Sequence, residues 1–212
     1  MIVAIDGPAA SGKSTLARSL SEALGFNYLN TGLCYRAFAL ISIREKVTNP
    51  LELFGEDIKI VPCIGKTLIL YRGLDITKEL SSEEIGEKAS EIATNPAFRE
   101  KLNELFRSVA GKNLVAEGRD AGTYIFPNAE VKIFLSASIE ERARRRQKQL
   151  KEKGQIFSLE EITKALIERD IRDETRPVYP FRKAEDAIVI DSTGLSPEEV
   201  LKKALEIVNS RL

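Results

Sequence analysis

The sequence GPAASGKST at residues 7–15 fits the pattern G-x-x-x-x-G-K-[ST], which is typical of a phosphate-binding loop. An apolar segment at residues 1–6 precedes it and is typical of a buried parallel strand. Leucines and alanines at helical spacing follow it until Gly25. A strand, a glycine-containing loop and a helix N-terminus in this order predict an anion site, because the loop amides and the helix dipole point at the same place.

Each position of this loop contributes a property that another residue type would lack. Gly7 and Gly12 let the backbone fold around a phosphate without a Cβ clash. Lys13 is long enough to reach the β- and γ-phosphates, and the Ser14 hydroxyl can ligate a metal ion. We therefore predict that ATP binds here, with Mg²⁺ as cofactor and Ser14 as its ligand. The predicted loop residues are Gly7, Pro8, Ala9, Ala10, Ser11, Gly12, Lys13, Ser14 and Thr15.

The composition of the chain argues against several other classes of protein. Lys plus Arg equals Asp plus Glu at 32 each, so we expect no nucleic acid partner. No segment has the apolar length of a membrane span, and the strand-like first residues leave no room for a signal peptide. Cys34 and Cys63 lack metal-ligand spacing and indicate reduced thiols, so we expect a cytoplasmic protein. The chain has no histidine, which excludes imidazole bases and most zinc sites.

The pattern along the 212 residues predicts one α/β domain with an insertion. Apolar runs near residues 1–6, 27–29, 113–117, 131–135 and 187–191 alternate with helical patterns, which predicts a five-stranded parallel core sheet in a three-layer α/β/α fold. Two β-like runs, 58–61 and 67–71, predict a small β-hairpin within an inserted subdomain. Residues 147–158 are mostly polar and predict a mobile segment. The predicted core comprises residues 1–44, 112–146 and 177–212, and the insert about 45–111.

Three further clusters are polar where a helix or strand boundary does not require it: residues 31–36, 117–123 and 168–176. Thr31 in the first is also the predicted N-cap of the helix that follows. The second comes directly after a buried strand, which is where ligands bind in open α/β sheets. The third carries arginines at helical spacing, so that one helix face presents three guanidiniums suited to phosphate oxygens. These arginines are Arg169, Arg172 and Arg176.

The arginine clusters also have plainer explanations. The run at residues 142–146 fits a solvated helix face whose arginines pair with Glu140 and Glu141. The arginines of residues 169–176 could likewise pair with the acids between them. Residues 117–120 are harder to explain in this way, because charge at the end of a buried strand in a nucleotide-binding fold is usually functional.

At these clusters the chain resembles nucleoside monophosphate kinases, and most closely bacterial-type cytidylate kinases, over nearly its whole length. The resemblance rests on IDGP at 5–8, TGLCYR at 31–36, EGRDAGTYIFP at 117–127, KIFL at 132–135 and ERDIRD at 168–173. The second and third stretches are specific to the family, whereas the first occurs in many P-loop enzymes. Ala121 and Tyr124 depart from the bulkier aliphatic residues common in the family, and we expect both to be tolerated.

The resemblance implies a monomeric enzyme that phosphorylates CMP and dCMP at the expense of ATP, with an insert that binds the monophosphate and a lid at about residues 147–176. It implies that Tyr35 and Arg36 flank the acceptor phosphate, with Arg119 and Arg176 as further partners. The substrate-binding residues that it implies are Thr31, Tyr35, Arg36, Ser90, Arg99, Arg119, Asp120, Arg169, Asp173 and Arg176. The predicted catalytic residues are Lys13, Arg119, Arg142, Arg146, Arg172 and Arg176.

The implied cytosine-recognising set, Ser90, Arg99 and Asp120, makes chemical sense. The exocyclic amine of cytosine donates a hydrogen bond and needs a carboxylate, while N3 and O2 accept from an arginine and a hydroxyl. Uracil has a carbonyl in place of the amine, which would face the Asp120 carboxylate unpaired. Arg169 and Asp173 resemble the pair that meets the ribose hydroxyls, which leaves CMP and dCMP unresolved.

Two other functions stay open at this point. The chain could phosphorylate another nucleoside monophosphate, such as UMP or AMP. It could also be a nucleotide-switched binding protein with no acceptor substrate, although the arginine-rich clusters are useful for phosphoryl transfer and unnecessary for switching. Besides Ser14, Glu117 and Asp6 are candidates to hold Mg²⁺ through water.

Overall fold

The computed structural model describes residues 1–55 and 57–211, and within these ranges eight strands form one sheet. The strands are β1 (Ile2–Asp6), β2 (Asn27–Asn30), β3 (Ile58–Ile64), β4 (Lys66–Tyr71), β5 (Leu74–Asp75), β6 (Leu114–Gly118), β7 (Val131–Ser136) and β8 (Ile188–Asp191). The helices are α1 (Lys13–Leu24), α2 (Thr31–Arg44), α3 (Glu83–Ile92), α4 (Pro96–Val109), α5 (Ile139–Glu152), α6 (Leu159–Glu174) and α7 (Pro197–Asn209).

Five strands form the predicted parallel core sheet, in the order β2-β6-β1-β7-β8. Side chains of β1 alternate between its two faces, as the two-residue period of a strand requires. Val3 and Ile5 pack in one apolar cluster with residues of α1 and α7, while Ala4 packs in the other with residues of α2 and α4. The sheet therefore lies between two helical layers, which confirms the three-layer α/β/α prediction.

The hairpin of β3 and β4 is confirmed, but it is not detached from the core. β3 pairs antiparallel with β2, so that Tyr28 lies opposite Cys63, and the hairpin and β5 extend the sheet to eight strands within the described residues. The Thr67 hydroxyl donates to the Tyr28 carbonyl at 2.7 Å and accepts from the Asn30 amide at 2.9 Å. Without these contacts β2 would be an edge strand with unpaired backbone groups.

Three local predictions at helix ends are corrected. Asn30, and not Thr31, caps α2 by accepting from the Leu33 amide at 2.8 Å, while the Thr31 hydroxyl donates to the Glu117 carbonyl. Helix α5 continues to Glu152, because Leu150 is buried in an apolar cluster with residues of α6, so only part of residues 147–158 is a loop. Helix α6 ends at Glu174, so Arg176 lies beyond the helix and not on its face.

Among the described residues, none of the helices combines the length and apolar character needed to cross a membrane. The carboxyl ends of β1, β2 and β6 lie side by side, and the first two polar clusters follow β2 and β6 there. After β1 the chain first forms strands on one side of it and later forms β7 and β8 on its other side. In α/β sheets such a point opens a crevice in which ligands bind.

Candidate active site

The loop between β1 and α1 has the backbone that an anion site requires. A Cβ atom at Gly7 would lie 2.1 Å from the Leu135 carbonyl oxygen, so only glycine fits there. Gly12 adopts a left-handed φ of 100° as the N-cap of α1, which glycine tolerates without strain. No side chain of the described residues caps this helix, so its first amides are free to face a phosphate.

Three arginines from two distant segments, the end of β6 and helix α5, bind carbonyl groups of the loop. Arg119 donates to the Gly7 carbonyl at 2.9 Å, and Arg142 donates to the Ala9 carbonyl at 3.3 Å. Arg145 donates to the Ser11 carbonyl at 3.0 Å. These three arginines therefore hold the carbonyl side of the loop, and the Ala9 amide donates to the Asp170 carboxylate at 3.4 Å. Arg145 was not among the predicted site residues, because a run of arginines on one helix does not show which of them points at the loop.

Lys13 and Asp6 are buried at the base of the loop, with unusual pKa values. Burial, together with the nearby charge of Arg119, lowers the pKa of Lys13 from 10.5 to about 7. Its Nζ donates to the Pro8 carbonyl at 2.6 Å. Burial also raises the pKa of Asp6 to about 6, although its carboxylate accepts from the Ala121 and Gly122 amides at 2.8 Å each. An anion bound on the loop would raise the pKa of Lys13 again and so favour its charged form.

A cavity of about 400 Å³ opens beside the loop. It brings together members of all three polar clusters, although the first and the third are more than 130 residues apart along the chain. The predicted site residues that line it are Ala9, Ala10, Lys13, Ser14, Thr31, Tyr35, Arg36, Ser90, Arg99, Arg119, Asp120, Arg146, Arg169, Asp173 and Arg176.

Other predicted site residues lie outside this cavity. Ser11, Gly12 and Thr15 line a second cavity of about 430 Å³ on the opposite side of the loop, together with Arg145 and Ser192. Gly7 and Pro8 line neither cavity, and Arg142 lies behind the loop, paired with Asp170 at 2.5 Å. Arg172 is exposed and donates to the Ser90 hydroxyl at 3.3 Å. Its catalytic role stays a prediction.

One end of the first cavity contains a buried ion pair. Arg99 on α4 and Asp120 after β6 are each 2% exposed, and their charged groups are 2.5 Å apart. Burial opposes the charge of Arg99, but the Asp120 carboxylate outweighs it and raises the pKa of Arg99. The Tyr35 ring lies 5.3 Å from the Arg99 guanidinium, and its buried hydroxyl has no hydrogen-bond partner in the described chain. Ser90 on α3 also lines this cavity.

The other side of the cavity carries an excess of positive charge. Arg119 pairs with Asp173 at 2.9 Å, and Arg176 donates to the Asp173 carbonyl at 3.1 Å. Arg169 has neither a hydrogen bond nor an ion pair with any described residue, and desolvation by the surrounding protein atoms, together with the charge of Arg119, lowers its pKa to about 10. A single carboxylate thus faces three guanidiniums, an arrangement that favours binding of an anion.

Polar contacts join α3 to the helices on the opposite side of this cavity. Arg146 on α5 pairs with Glu83 on α3, and Lys153 donates to the Ser81 carbonyl at 3.0 Å. Arg36 lies on the same side, where it donates to the Leu80 and Ser82 carbonyls at 3.0 and 2.8 Å. These contacts hold the start of α3 and the segment before it against α2 and the C-terminal part of α5.

Comparison with known proteins agrees with this geometry. The family model for cytidylate kinase matches residues 3–210. A cytidylate kinase from Aquifex aeolicus is 50% identical over 217 residues, which cover 100% of this chain and 97% of that one. One from Carboxydothermus hydrogenoformans is 44% identical over 218 residues, with 100% and 98% covered. The crystal structure of TT1252 from Thermus thermophilus has a TM-score of 0.51 at 22% identity, covers 100% of this chain and 97% of that one, and supports the fold alone. The resemblance seen in the sequence is confirmed: the chain belongs to the cytidylate kinase family.

Proposed function

We propose that this chain transfers the γ-phosphoryl group of ATP to the phosphate of CMP, and also of dCMP, to give the diphosphate and ADP. The observation that carries the proposal is the first cavity, in which a buried Arg99–Asp120 pair lies at one end and a cluster of guanidiniums beside the phosphate loop. The buried ion pair suits a pyrimidine base that carries an amine, and the guanidinium cluster suits phosphates.

The donor nucleotide binds on the loop of residues 7–15, where Lys13 and the first amides of α1 face its phosphates. The second cavity, next to Thr15 and Arg145, has room for the nucleoside of ATP. Ser14 lies exposed in the first turn of α1 and is the ligand that we propose for Mg²⁺, which would neutralise charge on the phosphates. The described residues contain no cluster of three metal-binding side chains, which agrees with a Mg²⁺ ion held mostly by phosphates and water.

The acceptor nucleotide binds across the first cavity, with its base at the Arg99–Asp120 pair. The Asp120 carboxylate accepts from the cytosine amine, and Arg99 donates to N3. The acceptor phosphate lies among Arg36, Arg119 and Arg176. Because this phosphate is already an anion, it attacks without a general base, and the arginines stabilise the charge that spreads over the transferred group.

Four further parts complete the proposal: the insert, the lid, the oligomeric state and the location. Residues 45–111 act as the insert that binds the monophosphate, and residues 147–176 act as a lid that excludes water during transfer. The resemblance to the family implies a monomer, which we include in the proposal. Cys34 and Cys63 are free thiols, which supports a cytoplasmic location.

The test is the formation of ADP from ATP and Mg²⁺ with CMP, dCMP, UMP, AMP or no acceptor, followed by chromatography of the products. We expect CMP and dCMP to support turnover several orders of magnitude faster than UMP. A preference for UMP or AMP would contradict the proposal and indicate a kinase that acts on another nucleoside monophosphate. Slow hydrolysis that ignores every acceptor would instead indicate a nucleotide-switched protein.

Gly86 offers a selective test of the role of Arg36. A Cβ atom at Gly86 would lie 2.6 Å from Arg36 Nη2, so Gly86→Ala displaces the flexible guanidinium and not the backbone. We expect the KM for CMP to rise about tenfold, the loss typical of one charged hydrogen bond. The KM for ATP should stay the same, and alanine within a helix should not lower the melting temperature.

The matched control for this substitution is Gly55→Ala, which meets no atom within 4 Å and should leave both KM values unchanged. An unchanged KM for CMP in Gly86→Ala would contradict the placement of Arg36 at the acceptor phosphate.

The low pKa of Lys13 predicts that ATP binding takes up a proton. With a pKa of about 7, most Lys13 is neutral at pH 8 in the free protein. A phosphate beside it favours the charged form, so Lys13 gains a proton when ATP binds. Calorimetry at pH 8 in two buffers of different ionisation enthalpy should therefore give different binding enthalpies. Lys13→Arg, whose side chain is always charged, should show no such difference, and equal enthalpies for the unmodified protein would contradict the prediction.

A further inference from the structure

Tyr179 has an unusual backbone conformation in the segment after α6. Its φ is +56°, in the left-handed region that bulky residues seldom adopt. The next residue, Pro180, disfavours the right-handed helical region for Tyr179 but does not require a positive φ. Such conformations persist where surrounding contacts hold them, and they are frequent at functional sites. The contacts of the Tyr179 ring are therefore informative.

The Tyr179 ring contacts Arg99, which lines the first cavity at the end where we propose that the base binds. The Arg99 guanidinium carbon is 5.6 Å from the centre of this ring, within the range of a cation–π contact. The Tyr124 ring meets it edge to face, with centroids 5.0 Å apart and an interplanar angle of 84°. Tyr124 in turn has the Arg182 guanidinium 5.4 Å from its own ring centre. Arg182, Tyr124, Tyr179 and Arg99 thus form a continuous series of cations and rings.

The segment that carries Tyr179 is held firmly at the same site. The Phe181 amide donates to the Asp173 carbonyl at 2.9 Å. The Phe181 ring lies 5.6 Å from the Arg119 guanidinium and stacks on Phe134. One short segment therefore presents two rings, each to a different arginine of the first cavity.

The orientation of Arg99 needs this support, because its hydrogen bonds do not use all its nitrogens. One terminal nitrogen donates to Asp120 at 2.5 Å and the other to the Ala93 carbonyl at 3.2 Å. Nε is buried without a hydrogen-bond partner in the described chain. The rings of Tyr35 and Tyr179, at 5.3 and 5.6 Å, therefore restrict the plane of the guanidinium in a place that excludes water.

We propose that Tyr179 is a positioning residue that holds the Arg99 guanidinium in the plane needed to donate to cytosine N3, and that it thereby sets the preference for cytosine over uracil. This proposal rests on the proposed function of the cavity. Cytosine N3 accepts a hydrogen bond, whereas N3 of uracil carries a proton and donates. A fixed Arg99 rejects uracil, and an Arg99 free to tilt loses this selectivity.

Two substitutions at Tyr179 separate the ring from the backbone. Tyr179→Phe keeps the ring, and Tyr179→Asn removes it while suiting a left-handed φ. For Tyr179→Asn we expect the KM for CMP to rise and the CMP over UMP ratio of kcat/KM to fall, each by about three- to tenfold, with the KM for ATP unchanged. Tyr179→Phe should match the unmodified protein in all three values.

A CMP over UMP ratio that Tyr179→Asn leaves unchanged, or that Tyr179→Phe lowers equally, would overturn the proposal. If Tyr179→Asn does not fold, Tyr124→Leu replaces it, since it removes the edge contact that orients the Tyr179 ring, together with the ring that faces Arg182. The same ratio should then fall, though less, and no fall would count against the proposal. Absence of a CMP preference in the unmodified protein is a separate result, which would refute the proposed function itself.

Discussion

Lys13→Ala is expected to abolish CMP-dependent ADP formation, with a loss in kcat of at least about 10²- to 10³-fold. The Lys13 amine lies buried at the base of the loop, held by the Pro8 carbonyl at 2.6 Å. In this position it can neutralise charge on the β- and γ-phosphates, and no bulk water can replace it. Because burial already disfavours its charge, the substitution should not lower the stability of the empty protein.

The control is Lys59→Ala, which removes an exposed lysine of the hairpin whose ion pair within residues 1–55 and 57–211 is with Asp57. It should leave kcat and both KM values unchanged. Turnover is followed by ADP release in a coupled assay, and the melting temperature of each variant is recorded beside it. Near-normal turnover by Lys13→Ala would contradict the role of the loop in phosphoryl transfer.

Asp120→Asn is expected to remove most of the preference for CMP over UMP. The amide keeps the shape of the carboxylate but has an NH₂ group that can face the uracil carbonyl. We expect kcat/KM for CMP to fall by about 10²-fold and the ratio to UMP to approach one, since a site built around a polar group rejects its mismatch by orders of magnitude. The ratio of the kcat/KM values for CMP and UMP, measured with the two nucleotides in competition, reports this preference directly.

Asp120→Ala should relax the same preference but carries a cost in folding. It leaves the Arg99 guanidinium buried without its partner, a change that destabilises proteins by about 3–5 kcal/mol. The comparison of the two variants therefore separates base recognition from stability. An unchanged CMP over UMP ratio in Asp120→Asn, in a variant that melts normally, would disprove the assignment of Asp120 to the base.

Much of the fold and of the candidate site could be predicted from the sequence, because both depend on short-range patterns. The loop at residues 7–15 carries its own signature, and buried strands appear as apolar runs. The polar residues at 117–123 were expected at a ligand site, because ligands bind beyond the carboxyl ends of strands in α/β sheets. The resemblance to the family grouped residues as distant as Tyr35 and Asp120 in one substrate site, and both line the first cavity, while their roles stay predictions.

The features that could not be predicted depend on contacts between distant residues or on choices between equivalent neighbours. Asn30 and Thr31 are both good helix caps, and only the hydrogen bond of Thr31 to Glu117 leaves the cap to Asn30. Pairing of the hairpin with β2 is set by tertiary register, which single-sequence patterns do not contain. The contact of Tyr179 with Arg99 joins residues 80 positions apart, and no periodic pattern in the sequence indicates it.

The contacts between α3 and α5 across the first cavity affect how fast nucleotides bind and leave. Glu83 is 44% exposed and its partner Arg146 is 26% exposed, so water and salt screen the pair. Ion pairs of this kind contribute about 0–1 kcal/mol. Separation of the two sides should therefore require little free energy and become faster as ionic strength rises. We expect a phosphate that reaches Arg146 to take the place of the Glu83 carboxylate, so that binding exchanges one anion for another at this arginine.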